Sequence, residues 1–304
     1  MITRRAVLKG GAAAVAAGVG LAGYAFGIEP MRTRVTRYAV TPPGWPPHLT
    51  LKIAVLADIH ACQPWMSEQR IENIARQTNA LQPDIILLAG DYCAGHRWVT
   101  DWVHSQDWSR ALGKLVAPLG VHAVLGNHDW WEDKTAQRNG HGPVFSRSAL
   151  EANNIRVYEN QAARLETTGG GFWIAGLGDQ LALLPGKKYG REAMRGVDDL
   201  AGTLARVTDR SPVLLLAHEP DVFPRVPDRV SLTIAGHTHG GQVRLLGYSP
   251  IVPSRFGNRY AYGHIIENGR HMIVSGGLGC AIMPVRFNVP PEIVVVELGM
   301  SASV

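Results

Sequence analysis

Apolar positions along the chain follow two periods. Continuous runs at 49–57, 85–89, 121–125, 212–217 and 232–235 are short, rich in Val, Ile and Leu, and bounded by turn-forming residues. That pattern predicts strands buried on both faces. Between the early runs the spacing changes to that of helices. Ser67 caps a segment reaching Leu81, with Ile71, Ile74 and Ala75 on one side, and a second helical pattern covers 110–116. Two successive βα units predict right-handed crossovers and neighbouring parallel strands, so the segments leaving 57 and 89 should emerge side by side. Helices are expected at 144–153 and 198–207, strand-like runs around 156–158, 164–166 and 172–175, and a loop at 183–195. Further β character at 261–266, 271–275 and 291–298 predicts that the second half builds a second sheet. There is no internal repeat and no cause to divide the chain.

Each strong run ends in polar residues. The first is followed by Asp58-Ile59-His60, the second by Gly90-Asp91, the third by Gly126-Asn127-His128-Asp129, the fourth by His218-Glu219-Pro220 and the fifth by Gly236-His237-Thr238-His239-Gly240. Open α/β sheets place their chemistry at such strand ends. Alternation along the loop puts Asp58 and His60 on one side, where a carboxylate and an imidazole share one cation. His237 and His239 likewise point the same way in an extended loop. Alone, Gly-Asn-His-Asp is an ordinary turn and His-x-His a pair of surface histidines; it is the series that gives them weight. Oxygen and imidazole donors without thiolate suit Mn, Fe, Co, Ni or Zn rather than Ca. No Ser or Cys nucleophile with an attendant base is evident, so attack by hydroxide generated on a metal pair is the simplest mechanism.

Composition adds bounds. The chain has 304 residues, 46% of them hydrophobic, ample for a core, and a formal charge of +5. Several arginines lie near the N-terminus (Arg4, Arg5, Arg32, Arg34, Arg37), which weakens any inference to nucleic acid. Three widely spaced cysteines, Cys62, Cys93 and Cys280, exclude a disulfide framework and a thiolate zinc site. Arg4-Arg5 followed by an apolar, Gly/Ala-rich stretch makes 1–30 a targeting segment that resembles a twin-arginine export signal, with a membrane anchor as the other reading. Residues 31–48 are expected to be a Pro-rich linker and 49–299 the folded domain. Trp65, Trp98, Trp102, Trp108, Trp130 and Trp131 fall between the first and third motifs. They are expected chiefly to pack loops over the site, with a lipid interface as the second reading.

Asp-x-His, Gly-Asp, Gly-Asn-His-Asp, a later His and Gly-His-x-His, in that order across 51–242, resemble the calcineurin-like metallophosphoesterase superfamily. Gly240-Gly241-Gln242, Gly276-Gly277-Leu278-Gly279, Pro284-Val285-Arg286-Phe287 and Pro291-Glu292-Ile293 look like its bacterial exported or membrane-associated phosphodiesterase branch. The resemblance implies a four-layer αββα sandwich, two mixed β-sheets flanked by helices, with the metal site at the C-terminal strand ends. It implies Asp58, His60, Asp91 and His239 as ligands of one transition-metal ion (Mn, Fe or Zn). Asp91, Asn127, His218 and His237 would hold a second, with Asp91 bridging. His128 is then the catalytic residue beside the leaving group. Asp129 either orients His128 or is an exposed turn residue. The expected substrate is a small-molecule or lipid phosphoester, the expected partners the Tat export machinery and a membrane surface, and the expected location the periplasm or outer membrane face. A UDP-2,3-diacylglucosamine pyrophosphatase is the alternative, against which an export signal counts. Less favoured are a nuclease, for which the chain offers little basic surface, and a non-catalytic metal-binding protein.

Overall fold

The computed structural model describes residues 3–299, so positions 1 and 2 of the expected targeting segment lie outside the described residues. In chain order the elements are α1 (Arg4–Gly23), β1 (Arg34–Val40), β2 (Leu51–Leu56), β3 (Cys62–Gln63), α2 (Glu68–Ala80), β4 (Ile85–Leu88), β5 (Asp101–Trp102), α3 (Ser105–Leu112), β6 (Val121–Ala123), α4 (Asn127–Trp131), α5 (Lys134–Asn139), α6 (Phe145–Glu151), β7 (Arg156–Val157), β8 (Gln161–Thr167), β9 (Gly170–Gly176), α7 (Leu200–Ala205), β10 (Val213–Leu216), β11 (Leu232–Ala235), β12 (Gly263–Glu267), β13 (Arg270–Val274) and β14 (Glu292–Leu298).

The apolar runs are continuous because successive side chains enter different cores. Ile53 and Val55 of β2 face the second sheet, joining Ile174, Leu214, Leu216, Leu232 and Ile234 in the central layer. Ala54 and Leu56, one residue out of phase, pack with Ile71 and Ile74 of α2 and Trp108 and Leu112 of α3. The outer face of the second sheet, including Ala175, Val213 and Leu215, is covered by Val222, Phe223 and Leu204. Two six-stranded mixed sheets, ordered β1-β14-β2-β4-β6-β7 and β12-β13-β11-β10-β9-β8, therefore stack face to face with helical segments outside. The four-layer αββα sandwich is the observed architecture. β2, β4 and β6 are parallel neighbours, which delivers their three following loops to one end.

Two expectations need correction. Residues 31–48 are not simply a linker, because β1 pairs in parallel with β14 from Arg34↔Glu292 to Val40↔Leu298. It is a half-exposed edge strand with polar outward positions, hence the weak signal. β14 does not join the second sheet. It pairs antiparallel with β2, Val294 opposite Val55, because its alternating side chains fill the central layer (Val294, Val296) and the helical side (Ile293) of the first sheet. Smaller shifts occur elsewhere. The helix expected at 110–116 lies at Ser105–Leu112, ending before Gly113.

Before the sandwich stands α1. Its 20 residues span about 30 Å, the thickness of a bilayer's hydrocarbon core, and Leu8, Val15, Val19 and Leu21 are exposed. It is long and apolar enough to cross a membrane. The turns after it dock on the domain: the Ala25 carbonyl accepts from the Arg286 N–H at 2.9 Å, and the Pro30 carbonyl from Arg70 Nη2 at 2.6 Å.

Candidate metal centre

Loops from both sheets converge at one end of the sandwich, and all seven candidate ligands are buried. Asp58, His60 and His239 form one group of donor atoms, and Asp91, His218 and His237 a second. In the first, His60 Nε2 lies 3.1 Å from His239 Nε2, which is 3.6 Å from Asp58 Oδ1. In the second, Asn127 Oδ1 lies 3.2 Å from His218 Nε2 and 2.9 Å from His237 Nδ1. Asp91 stands between them, its Oδ2 3.5 Å from His60 Nε2 and 3.2 Å from His218 Nε2. His237 and His239 thus separate into different groups. The extended loop expected from sequence is instead tightly coiled, with His237 and His239 at φ 69° and 52° and Thr238 between them helical.

Positive φ recurs through the site. Asp58 (53°), His60 (46°) and Asp91 (61°) share it. Left-handed backbone costs a non-glycine residue about 1–3 kcal/mol, and such strain gathers where function fixes a conformation. Here it turns each chain sharply as it leaves its strand, so that ligands face inward rather than alternate.

Hydrogen bonds from behind fix the donor atoms. The Nδ1–H of His60 donates to the Cys93 carbonyl at 2.7 Å and that of His218 to the Ala89 carbonyl at 2.6 Å, leaving Nε2 lone pairs directed inward. The His237 N–H donates to Asp58 Oδ1 at 2.9 Å, and the His128 N–H to Asp91 Oδ1 at 2.8 Å. Burial lowers His60 to about pKa 3 and raises Asp58 to about 7. Burial also works against ionised Asp91, but His218 and His128 overcome it and hold Asp91 well below the usual carboxylate range. Burial, then His60 and Arg286, keep His239 neutral. Burial likewise works against protonated His218, but the charge of Asp91 raises it well above the ordinary imidazole range. Buried carboxylates beside imidazoles, with nitrogens facing one another, form a donor set that fits a pair of transition-metal cations.

His128 is half-buried at the edge of this cluster, its ring edge-on to His60 (5.0 Å between centroids) and tilted against Trp131 (4.9 Å). Asp129 does neither thing expected of it. It is buried, and its Oδ2 accepts from the backbone N–H groups of Gly126 and Asp91 (2.9 and 3.0 Å), its Oδ1 from those of Tyr92 and Cys93 (3.0 and 3.3 Å). It therefore ties the β6 loop to the β4 loop that carries Asp91. Burial and the Asp91 charge raise it to about pKa 6. Arg286 has a place that spacing could not reveal: fully buried, it donates to the carbonyls of Gly279 and Val289 and lies 3.3 Å from His239 Nδ1. Among the tryptophans, Trp108 and Trp130 are core residues, while Trp98 and Trp102 are exposed.

A fold of this class with polar loops converging at the strand ends invites comparison with known proteins. Residues 51–241 match the family model for calcineurin-like phosphoesterases, and the chain belongs to that family. It is 32% identical to the uncharacterized metallophosphoesterase YkuE of Bacillus subtilis, over 98% of both chains. It is 28% identical to the phosphodiesterase YaeI of Escherichia coli, over 98% of this chain and all of that one. With the UDP-2,3-diacylglucosamine pyrophosphatase LpxG of Chlamydia trachomatis it shares 26%, over 88% and 89% respectively. Membership makes the protein a metallophosphoesterase, with a cluster of residues suited to two metal ions.

Proposed function

We propose that this protein is a two-metal phosphodiesterase acting on lipid-derived phosphodiesters at the outer face of a membrane to which α1 anchors it. The observation that carries the catalytic part is the pair of buried donor groups with Asp91 between them. Asp58, His60, Asp91 and His239 hold one ion, Asp91, Asn127, His218 and His237 the other. When bound, two such cations supply an activated water and a clamp on the phosphoryl oxygens. The chain's own part is to present imidazoles whose ring orientation is set by the Cys93 and Ala89 carbonyls, and to keep His128 within reach of the leaving oxygen. There His128 donates a proton or a charge-assisted hydrogen bond, worth roughly 10²–10⁴-fold.

Diester preference is supported by the name of YaeI, and an amphiphilic substrate by that of LpxG. Hydrolysis of UDP-2,3-diacylglucosamine is the second reading, favoured by the LpxG likeness. The Arg4-Arg5 pair before an apolar helix supports export by the twin-arginine route, with the helix retained.

The test uses full-length protein in detergent, because residues 25–40 pack on the domain. Stripped of metal it should lose hydrolysis of bis-p-nitrophenyl phosphate, and Mn, Zn or Fe should restore it in preference to p-nitrophenyl phosphate hydrolysis. Asn127→Ala and His128→Ala should each lower kcat by about 10²-fold or more, His128→Ala with metal content unchanged. Full activity of His128→Ala, or metal-independent turnover, would refute the assignment.

A further inference from the structure

We propose that the apolar groove running away from His239 is an acyl-chain subsite, which holds the hydrocarbon tail of an amphiphilic phosphoester while its phosphate occupies the metal centre. The inference rests on the phosphoesterase reading above and adds where the tail lies. The groove encloses about 290 Å³, and its walls include Val243, Ile251, Ile282, Met283 and Val285. His239 is the one ionisable side chain among the described residues that line it. A ligand bridging groove and centre must therefore be charged at one end and apolar along the other.

The rim is built against the preferences of folding. Ile282, in the groove wall, is 68% exposed with φ 65°; Leu246, outside the wall but three residues beyond Val243 in the chain, is fully exposed with φ 50°. A β-branched side chain at positive φ is disfavoured by its backbone, and large apolar surface in water is disfavoured by hydration. Asparagine or glycine would relieve both at either position. Neither residue buries its side chain within the fold, so the apolar character serves something outside it.

A lipid tail is the occupant chosen by the neighbouring elements. Met283 also lines a second apolar depression, with Phe26 and Trp98, at the foot of α1. That foot is tied to the same loop through the Ala25–Arg286 backbone hydrogen bond, one residue from the groove wall at Val285. With α1 in a bilayer, the groove mouth lies at the bilayer surface, where a chain passes from lipid to groove with little exposure to water.

The experiment measures binding of ethyl-, butyl- and octylphosphonate to the Mn-loaded, full-length protein in nanodiscs by calorimetry, alongside bis-p-nitrophenyl phosphate turnover. Each methylene buried is worth up to roughly fourfold in affinity, so octyl should bind at least tenfold tighter than ethyl. Ile282→Asn and Val243→Asp, measured in the same discs so that partitioning into lipid cancels, should bring that ratio close to one. Ile282→Asn should melt at the same or a higher temperature, which a purely structural role for the isoleucine would not allow. Tail preference surviving both substitutions overturns the groove assignment while the lipid reading stands. A flat series in the unmodified protein overturns both. Absent turnover with tail-dependent binding would instead refute the catalytic reading and leave the subsite in place.

Discussion

Replacing Asp129 by asparagine tests whether the metal centre depends on a buried carboxylate that touches no ligand side chain. The carboxylate receives four backbone N–H groups, two on each oxygen, and the Ser146 hydroxyl at 3.3 Å. Asparagine keeps one acceptor oxygen, so whichever way the amide is turned, its NH2 faces two backbone donors. Two buried donors left without partners cost about 1–3 kcal/mol each, hence roughly 4 kcal/mol. At about 2 °C per kcal/mol for a chain of this size, the melting temperature should fall by about 8 °C. Either orientation unpairs backbone donors of the loop that carries Asp91, so metal affinity should fall with stability. Scanning calorimetry of the metal-free protein and a Mn titration read the two effects separately. A melting temperature within 1 °C of the unmodified protein, with unchanged Mn affinity, would refute the claim that Asp129 organises these loops.

Two further perturbations probe the metal-bearing loops and the sheet beneath them. Gly90 sits at φ 93°, and a Cβ there would lie 2.7 Å from both His218 Nδ1 and the Gly126 nitrogen. Gly90→Ala should therefore break the His218–Ala89 contact and lower bound metal from two ions to one by elemental analysis; retention of both would show that the turn yields. His122 is buried between the Tyr158 hydroxyl and the Leu119 carbonyl, each at 2.8 Å, and burial lowers its pKa. A lowered folded pKa means its contribution to stability is complete above about pH 6.5 and is lost as pH falls below that value. The urea midpoints of the unmodified protein and His122→Gln should thus differ more at pH 7.5 than at pH 5; a constant gap would contradict the neutral assignment.

Strands β2, β4, β6, β10 and β11 were legible in the sequence because both faces are buried, so that only Lys52, His122 and Thr233 interrupt otherwise apolar runs. The polar residue that ends each run was legible for the same reason. β1 was not, since half its positions face solvent and a proline-rich stretch follows. The positive φ of Asp58, His60, Asp91, His237 and His239 carries no local sign, because Asp and His also accept extended backbone.

The order of motifs pointed to the family, and through that resemblance to the expected donor residues and their division, while hydrophobic burial imposes a period along one dimension that made the strand-ending loops readable. Tertiary structure decided what the motifs leave open. It coiled the loop that carries His237 and His239, gave Asp129 to the backbone of two loops and brought Arg286 behind His239 from 47 residues away. Those are matters of convergence between strands distant in sequence. They are set by packing two sheets against each other, which no local pattern records.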